Sequence, residues 1–357
     1  MKLSAISYQL SAWGLGLGMV GCAQAGGAAP EGPVPTEVEA PAPRTPEELP
    51  DTGFDFGDSI AIDSVTAPLP QEGLVNVSAP RSEPPIPGWP VGPAPLPGAI
   101  LPHNRIVAYY GNPLSTRMGI LGEIPPQQML ARLDEEVAAW EAADPGTPVV
   151  PALHLVAMVA QADPGSDGDY SALMSDETIE EVASWAETRD ALVFLDLQVG
   201  LSTVQEEIPR IAEFLKRPNF HLGLDPEFSM KRGNKPGTHI GTLDASDINF
   251  AIDFLGDIVD EYDLPPKVLV IHRFTQAMIT NAEDIRLDPR VQVVIDMDGW
   301  GAAWLKERSY QDFIVEDPVQ FTGIKLFYKN DTRSGNSLMT PEQILDLMPA
   351  PVYIQYQ

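Results

Sequence analysis

Cysteine is nearly absent from this chain: its 357 residues contain one, Cys22. An internal disulfide and a cysteine-based zinc site are thereby excluded. Histidine is scarce, with five residues and no His-x-His pair among them. Bases are few, 22 Lys and Arg against 51 Asp and Glu, for a formal net charge of −29. Residues 103–357 alone hold 40 acids against 19 bases, a net charge of about −21. A field of that sign repels nucleic acid and anionic membrane surfaces, so neither is an expected partner of this part of the chain. A glycine-rich phosphate loop is also missing: "YYGNPLSTRMG" lacks the dinucleotide spacing.

Proline, by contrast, is abundant and uneven. Eighteen of the 36 prolines fall between Pro30 and Pro102, in stretches such as "APRSEPPIPGWPVGPAPLPG". Such composition favours extended, solvated chain over a packed core, and residues 23–102 read as a disordered tether. Residues 1–22 have a basic start at Lys2, a weakly apolar run and small residues, the plan of a secretory signal too short for a normal membrane span. "MVGC" resembles a bacterial lipobox, which implies lipidation at Cys22 and a membrane-anchored, exported protein of the bacterial cell envelope. An ordinary signal peptide cut elsewhere is the alternative.

Residues 103–357 have the size of one barrel domain. Eight apolar runs stand out: "RIVAYYGN", "VVPALHLVAMVA", "ALVFLDLQV", "HLGLDPEF", "KVLVIHRF", "VQVVIDMDG", "GIKLFYKN" and "PVYIQYQ". Near-continuous hydrophobic runs are expected of parallel strands covered on both faces. Helical patterns lie between them, in "PPQQMLARLDEEVAAWEAAD", "DETIEEVASWAETR", "TVQEEIPRIAEFLKR" and "ASDINFAIDFLGDIVDEY", with weaker candidates after the fifth and sixth runs. Thr203 with Glu206, and Thr340 with Pro341 and Gln343, carry helix start signals. The alternation predicts an α/β fold, a single (β/α)8 TIM-type barrel ending on strand eight.

Active sites of such barrels sit at the carboxyl ends of the strands. Two-residue alternation then selects the inward side chains. It points to Tyr110 or Tyr109 on strand one, His154 on two, Asp196 and Gln198 on three, Gly223, Asp225 and Glu227 on four, and His272 on five. Asp296 and Asp298 follow on strand six, Lys325 on seven, and Tyr353 and Gln355 on eight. One carboxylate at a strand end is explained by a helix cap or by pairing with Arg273 or Lys325. A whole ring of polar ends is the mark of a site.

Paired carboxyls suit glycosidic cleavage: one donates a proton to the leaving oxygen while another stabilises or attacks the oxocarbenium carbon. Crowding raises the pKa of one of them and keeps an acid available near neutral pH. Glu227 is the candidate acid, Asp225 its support, and Asp296 or Asp298 the nucleophile or second support. His154, Asp196, Gln198, His272, Lys325 and Gln355 are candidate substrate contacts. Tyr110, Trp300 and Trp304 are candidate aromatic faces for sugar rings, with core packing the favoured role of Trp304.

On "VAYYGN", "LDPEF" and "YIQYQ" the chain resembles TIM-barrel glycosidases of the family 18 chitinase and family 25 lysozyme type. The resemblance implies a polysaccharide substrate, with Glu227 as acid and Asp225 assisting attack by the substrate's own acetamido group. The fuller chitinase motif has a further Asp two residues before Asp225, where this chain has Gly223.

Two other classes compete. A divalent metal held by His154, His272, Asp225, Glu227 and Asp296 would make a metal-dependent barrel hydrolase; otherwise no cofactor is expected. A barrel without catalysis would be a glycan-binding or envelope lipoprotein. The loop from Ser229 to Thr242, locally basic, reads as a lid or a plain surface loop, and Asp163, Asp167 and Asp169 lack the EF-hand spacing.

Overall fold

The computed structural model describes residues 92–357. The expected signal peptide, Cys22 and the tether as far as residue 91 lie outside the described residues.

Eight parallel strands form the described fold: β1 (Arg105–Gly111), β2 (Val149–Ala160), β3 (Leu192–Leu197), β4 (Phe220–Leu224), β5 (Lys267–Arg273), β6 (Val291–Met297), β7 (Phe321–Leu326) and β8 (Tyr353–Tyr356). Each pairs with the next, and β1 pairs with both β2 and β8, so the sheet closes on itself. Tyr110 stands opposite His154 on one side of β1, and Ala108 opposite Gln355 on the other. This is the TIM-type barrel expected from the alternating pattern. A short antiparallel strand, Ser171–Leu173, extends β2 at its carboxyl end.

The strands separate two apolar layers. Side chains of one parity fill the bore: Ile106, Ala108, Ala152, Phe194, Val268, Val270, Val294, Phe321 and Tyr353. Those of the other parity, among them Val107, Tyr109, Leu195, Leu222, Leu269, Ile271, Val293 and Ile324, meet the surrounding helices. Burial on both faces explains why the strands read as unbroken apolar runs.

The helices form where the sequence signals them. Helix α1 (Pro126–Ala143) has proline in its first turn and buries Met129, Leu130, Leu133 and Trp140. Helix α2 (Asp176–Glu187) starts at Ser175, whose side chain accepts from the Thr178 N–H, and it buries Ile179, Val182, Ala183 and Ala186 on one face. Helix α3 (Ala245–Tyr262) has a full capping box from Asp244 and Asp247, a start signal the sequence reading passed over. Helix α4 (Ala303–Tyr310) follows β6, and α5 (Pro341–Leu345) carries the expected Thr340–Gln343 capping box.

Two connections differ from expectation. "TVQEEIPRIAEFLKR" is a helical turn at Val204–Glu207, a 3-10 turn at Ile208–Ile211 and a second helical turn at Ala212–Leu215. Pro209 has no N–H to donate, which breaks the ladder there. Between β5 and β6 the weak helix candidate is two 3-10 turns flanking a two-residue strand. Trp304 is a third correction. It sits on the outer face of α4 and is 61% exposed, so it is not a core residue.

The base of the barrel draws on residues before His103. Leu101 is wholly buried among the bore residues, and the Gln292 amide clamps its backbone, with Oε1 accepting from the Ile100 and Leu101 N–H groups and Nε2 donating to the Leu101 carbonyl. Leu101→Ala is expected to lower the unfolding free energy by about 2–5 kcal/mol in urea titrations, whereas Trp304→Ala changes it by less than about 0.5 kcal/mol. A silent Leu101→Ala would contradict the placement of Leu101 in the core.

Candidate active site

At the carboxyl end of the barrel the bore residues turn from apolar to charged, as the alternation predicts. Asp196, from β3, is the hub. The Tyr110 hydroxyl donates to its Oδ2 at 3.0 Å. His154 Nε2 lies 3.7 Å from its Oδ1 and His272 Nε2 lies 3.5 Å from its Oδ2. All of these side chains are buried. On its far side His154 Nδ1 meets the Tyr353 hydroxyl at 2.6 Å and the Gln355 amide at 3.1 Å, and the imidazole stacks on Phe194.

A second row runs from His272 to β7. His272 Nδ1 is 3.2 Å from Asp298 Oδ2 and 3.4 Å from Asp296 Oδ2. Lys325 Nζ is 3.1 Å from Asp298 Oδ1, and it sits 3.7 Å from the centre of the Tyr110 ring. Tyr110 is thus buried within the charge network, and its ring is covered by a cation. Tyr109, of opposite parity, faces outward, hydrogen-bonding Tyr328. Of the two bases offered as partners for the carboxylates, Lys325 pairs with Asp298, while Arg273 pairs with Asp317 at 2.8 Å.

The pair on β4 is built differently from the expectation. The strand ends at Leu224, and Pro226–Phe228 is a 3-10 turn capped by Asp225, whose Oδ1 accepts from the Glu227 N–H at 3.1 Å. Strand alternation therefore does not reach Glu227; a turn delivers it. Gln198 holds the other oxygen of Asp225, its Nε2 donating at 3.0 Å while its Oε1 accepts from the Ala160 N–H. Glu227 is half-buried, the most open acid of the group.

The charges divide the carboxyls into two kinds. Burial pushes Asp225 up to about 7, aided by Asp196 and Asp298 and opposed by His272. Burial, with Asp225 and Asp298 nearby, raises Glu227 well above the ordinary glutamate range. Burial acts on Asp298 too, but Lys325 and His272 outweigh it and hold that carboxyl below its ordinary value. Asp196 is likewise lowered against its own burial by the two histidines. Burial also raises Asp296, with His272 opposing. Burial alone would depress both imidazoles. It brings His154 down to about 4, whereas Asp196 and Asp298 raise His272 well above its usual range.

The structure therefore joins Tyr110, His154, Asp196, His272, Asp296, Asp298, Lys325 and Gln355 in one network of contacts, with the Gln198–Asp225 pair and Glu227 coupled to it electrostatically. Trp300 follows at the same end, with the Arg333 guanidinium 5.1 Å from its ring centre. The ligand atoms of His154, Asp196 and His272 lie within 4.8 Å of one another, close enough for one metal ion.

Sequence reasoning undervalued two kinds of residue. Gly223 and Gly323 give clearance: a Cβ at Gly223 would stand 2.5 Å from both Asp196 Oδ1 and His154 Nε2, and one at Gly323 would stand 2.6 Å from Asp296 Oδ1. The extra Asp of the chitinase motif has no room at position 223, and Asp196 from the neighbouring strand fills that part of the bore. Lys306 and Asp331 form a buried pair at 3.2 Å that pins the loops after β6 and β7: Lys306 donates to the Gly299 carbonyl, while Asp331 accepts from the Gly301 and Phe327 N–H groups. Only their separation in sequence hid them.

No protein-family model matches the sequence, and comparison with curated proteins gives no match. Among solved structures the chain is similar to a ruminal GH26 endo-β-1,4-mannanase, with a TM-score of 0.34 and 12% identity, over 71% of this chain and 58% of that one.

A raised carboxyl weakens the fold as pH rises, because between its ordinary and its folded value the native state holds a proton that the unfolded chain has released. For Asp225 that window runs from about 4 to about 7. Asp225→Asn should therefore gain stability relative to wild type across that window, on the order of 1–4 kcal/mol, in urea unfolding measured at stepped pH. A difference that does not change with pH would contradict the assignment.

Proposed function

We propose that this barrel is a glycoside hydrolase acting on polysaccharide, with Glu227 as general acid and Asp298 as the ionised carboxylate. Placement carries the reading: Glu227, the one half-buried acid of the group, stands on a capped turn at the carboxyl end of the barrel while Lys325 holds Asp298 at 3.1 Å, and the surroundings push Glu227 up and Asp298 down. Carboxyls driven apart in this way are suited to the acid and the charged roles of one reaction. Glu227 gives its proton to the leaving glycosidic oxygen. Asp298, held by Lys325, opposes the positive charge that grows on the anomeric carbon. Asp225 keeps Glu227 protonated and fixes the turn on which it stands. Asp296 lies beneath Asp298 and supports His272. The most open acid is thus the one assigned to meet the substrate, with the buried ring beneath it holding the charges in place. Trp300, in the loop that follows β6, is proposed to line the sugar path. The chain is further proposed to be exported and lipid-anchored at Cys22, a reading that rests on "MVGC".

The test is product release from a panel of chitin oligomers, peptidoglycan, mannans and glucans. Wild type is expected to cleave at least one of them. Glu227→Gln should lower kcat by about 10²–10⁴-fold without lowering the melting temperature. Glycan binding without turnover in the wild type would make the protein a binding barrel and overturn the assignment, as would full activity in Glu227→Gln.

A further inference from the structure

The hydrolase reading leaves several polar atoms at the bottom of the site without a partner, and their geometry is odd. His154 Nε2, Asp196 Oδ1 and His272 Nε2 are buried polar atoms without a hydrogen-bond partner. Such atoms cost free energy unless something meets them. The separations that link them, 3.7 Å from His154 Nε2 to Asp196 Oδ1 and 3.5 Å from His272 Nε2 to Asp196 Oδ2, are too long for hydrogen bonds. They match a different spacing. Two ligands bound tetrahedrally at about 2.1 Å to one ion stand about 3.4 Å apart.

The ligand atoms of the three residues lie within 4.8 Å of one another, and Gly223 keeps them clear of a side chain: a Cβ there would stand 2.5 Å from both His154 Nε2 and Asp196 Oδ1. The outer partners suit ligand histidines as well. His272 presents Nδ1 to the Asp298 and Asp296 carboxylates, the contact by which a metal-bound imidazole is oriented and made more basic. His154 presents Nδ1 to the Tyr353 hydroxyl at 2.6 Å. The Gln355 amide lies beside that nitrogen, and a half-turn offers it the Oε1 that has no partner. Three buried carboxylates, Asp196, Asp296 and Asp298, moreover share this floor with one lysine, Lys325, so a doubly charged cation is electrostatically welcome.

We propose that His154, Asp196 and His272 bind one divalent first-row transition ion in the floor of the barrel, below Glu227. Two imidazoles and a carboxylate are the donor set of zinc and ferrous sites, and harder ions such as magnesium prefer oxygen. The ion would knit β2, β3 and β5 together beneath the mouth. The proposal is separable from the hydrolase reading, because none of its three ligands is Glu227 or Asp298; on binding, His272 gives up its proton and the ion takes over the positive charge that faces Asp196 and Asp298.

The test uses full-length protein purified without a histidine tag, stripped with chelator and then titrated with Co²⁺ alone. Visible absorption and the melting temperature are followed. Wild type is expected to take up one Co²⁺ per chain with intense bands of a four- or five-coordinate ion, to melt at a higher temperature when loaded, and to lose the bands when Zn²⁺ is added. Asp196→Asn and His272→Gln should each weaken Co²⁺ binding by about 100-fold or more, beyond the effect of removing an outer partner. Glu227→Gln should bind Co²⁺ as wild type does, which separates this site from the proposed catalytic acid. His154→Phe keeps a ring against Phe194 and guards against loss through unfolding: it should melt cooperatively yet show no bands. Wild type without Co²⁺ bands, or folded His154→Phe and Asp196→Asn that bind Co²⁺ as tightly as wild type, would overturn the proposal.

Discussion

Everything at the mouth of this barrel depends on one constraint: carboxylates taken out of water inside a closed apolar bore must find opposite charge or keep their protons. An isolated buried carboxylate is too costly to persist, so each acid settles into one of the two states. Asp196 and Asp298 find cations, in His272 and Lys325. Asp225 and Glu227 stand a step farther out, feel those same carboxylates, and keep protons instead. One lysine and one histidine among five acids thus sort the acids into two groups, and the proposed chemistry follows from that sorting.

The barrel supplies the geometry. Parallel strands in fixed register put Asp196 beside Gly223 and His272 beside Asp296, so charges from neighbouring strands meet with little freedom to relax. Glycines on the partner strands leave room for this crowding. Around the rim, side chains tie the loops: Asp225 caps the Glu227 turn, Gln198 locks Asp225 to the end of β2, and Lys306 with Asp331 joins the loops after β6 and β7. A site assembled from packed strand ends and locked turns is held more closely than one built on free loops, which suits proton transfer over hydrogen-bond distances.

What could be read in the sequence follows from which regularities are rigid. Alternation along a strand is fixed by backbone geometry, so the inward parity of His154, Asp196, His272, Asp296, Lys325 and Gln355 was legible from spacing alone. The eight apolar runs gave the barrel for the same reason. Glu227 also comes to the site, but by a capped 3-10 turn after the strand has ended, so alternation reached the right residue by the wrong route. The proline in "EIPRI" was visible, yet the apolar spacing around it still read as one helix. Leu101 was hidden by its proline-rich surroundings, and composition averaged over a window cannot show that one leucine plugs a barrel. Core packing was the favoured role of Trp304, although α4 leaves it exposed. The Lys306–Asp331 pair and the fit of Gly223 against Asp196 are long-range contacts that only the folded chain reveals.

Burial and neighbouring carboxylates raise the Glu227 carboxyl well above the ordinary glutamate range, which keeps its proton available for transfer. Carbon-13 NMR of protein labelled at the glutamate carboxyls measures this directly, with the Glu227 signal assigned by its absence in Glu227→Gln and followed from pH 4 to pH 9. The account predicts a midpoint displaced well above those of the exposed glutamates, with Asp225→Asn moving it downward. A Glu227 signal that titrates together with the surface glutamates would contradict the account.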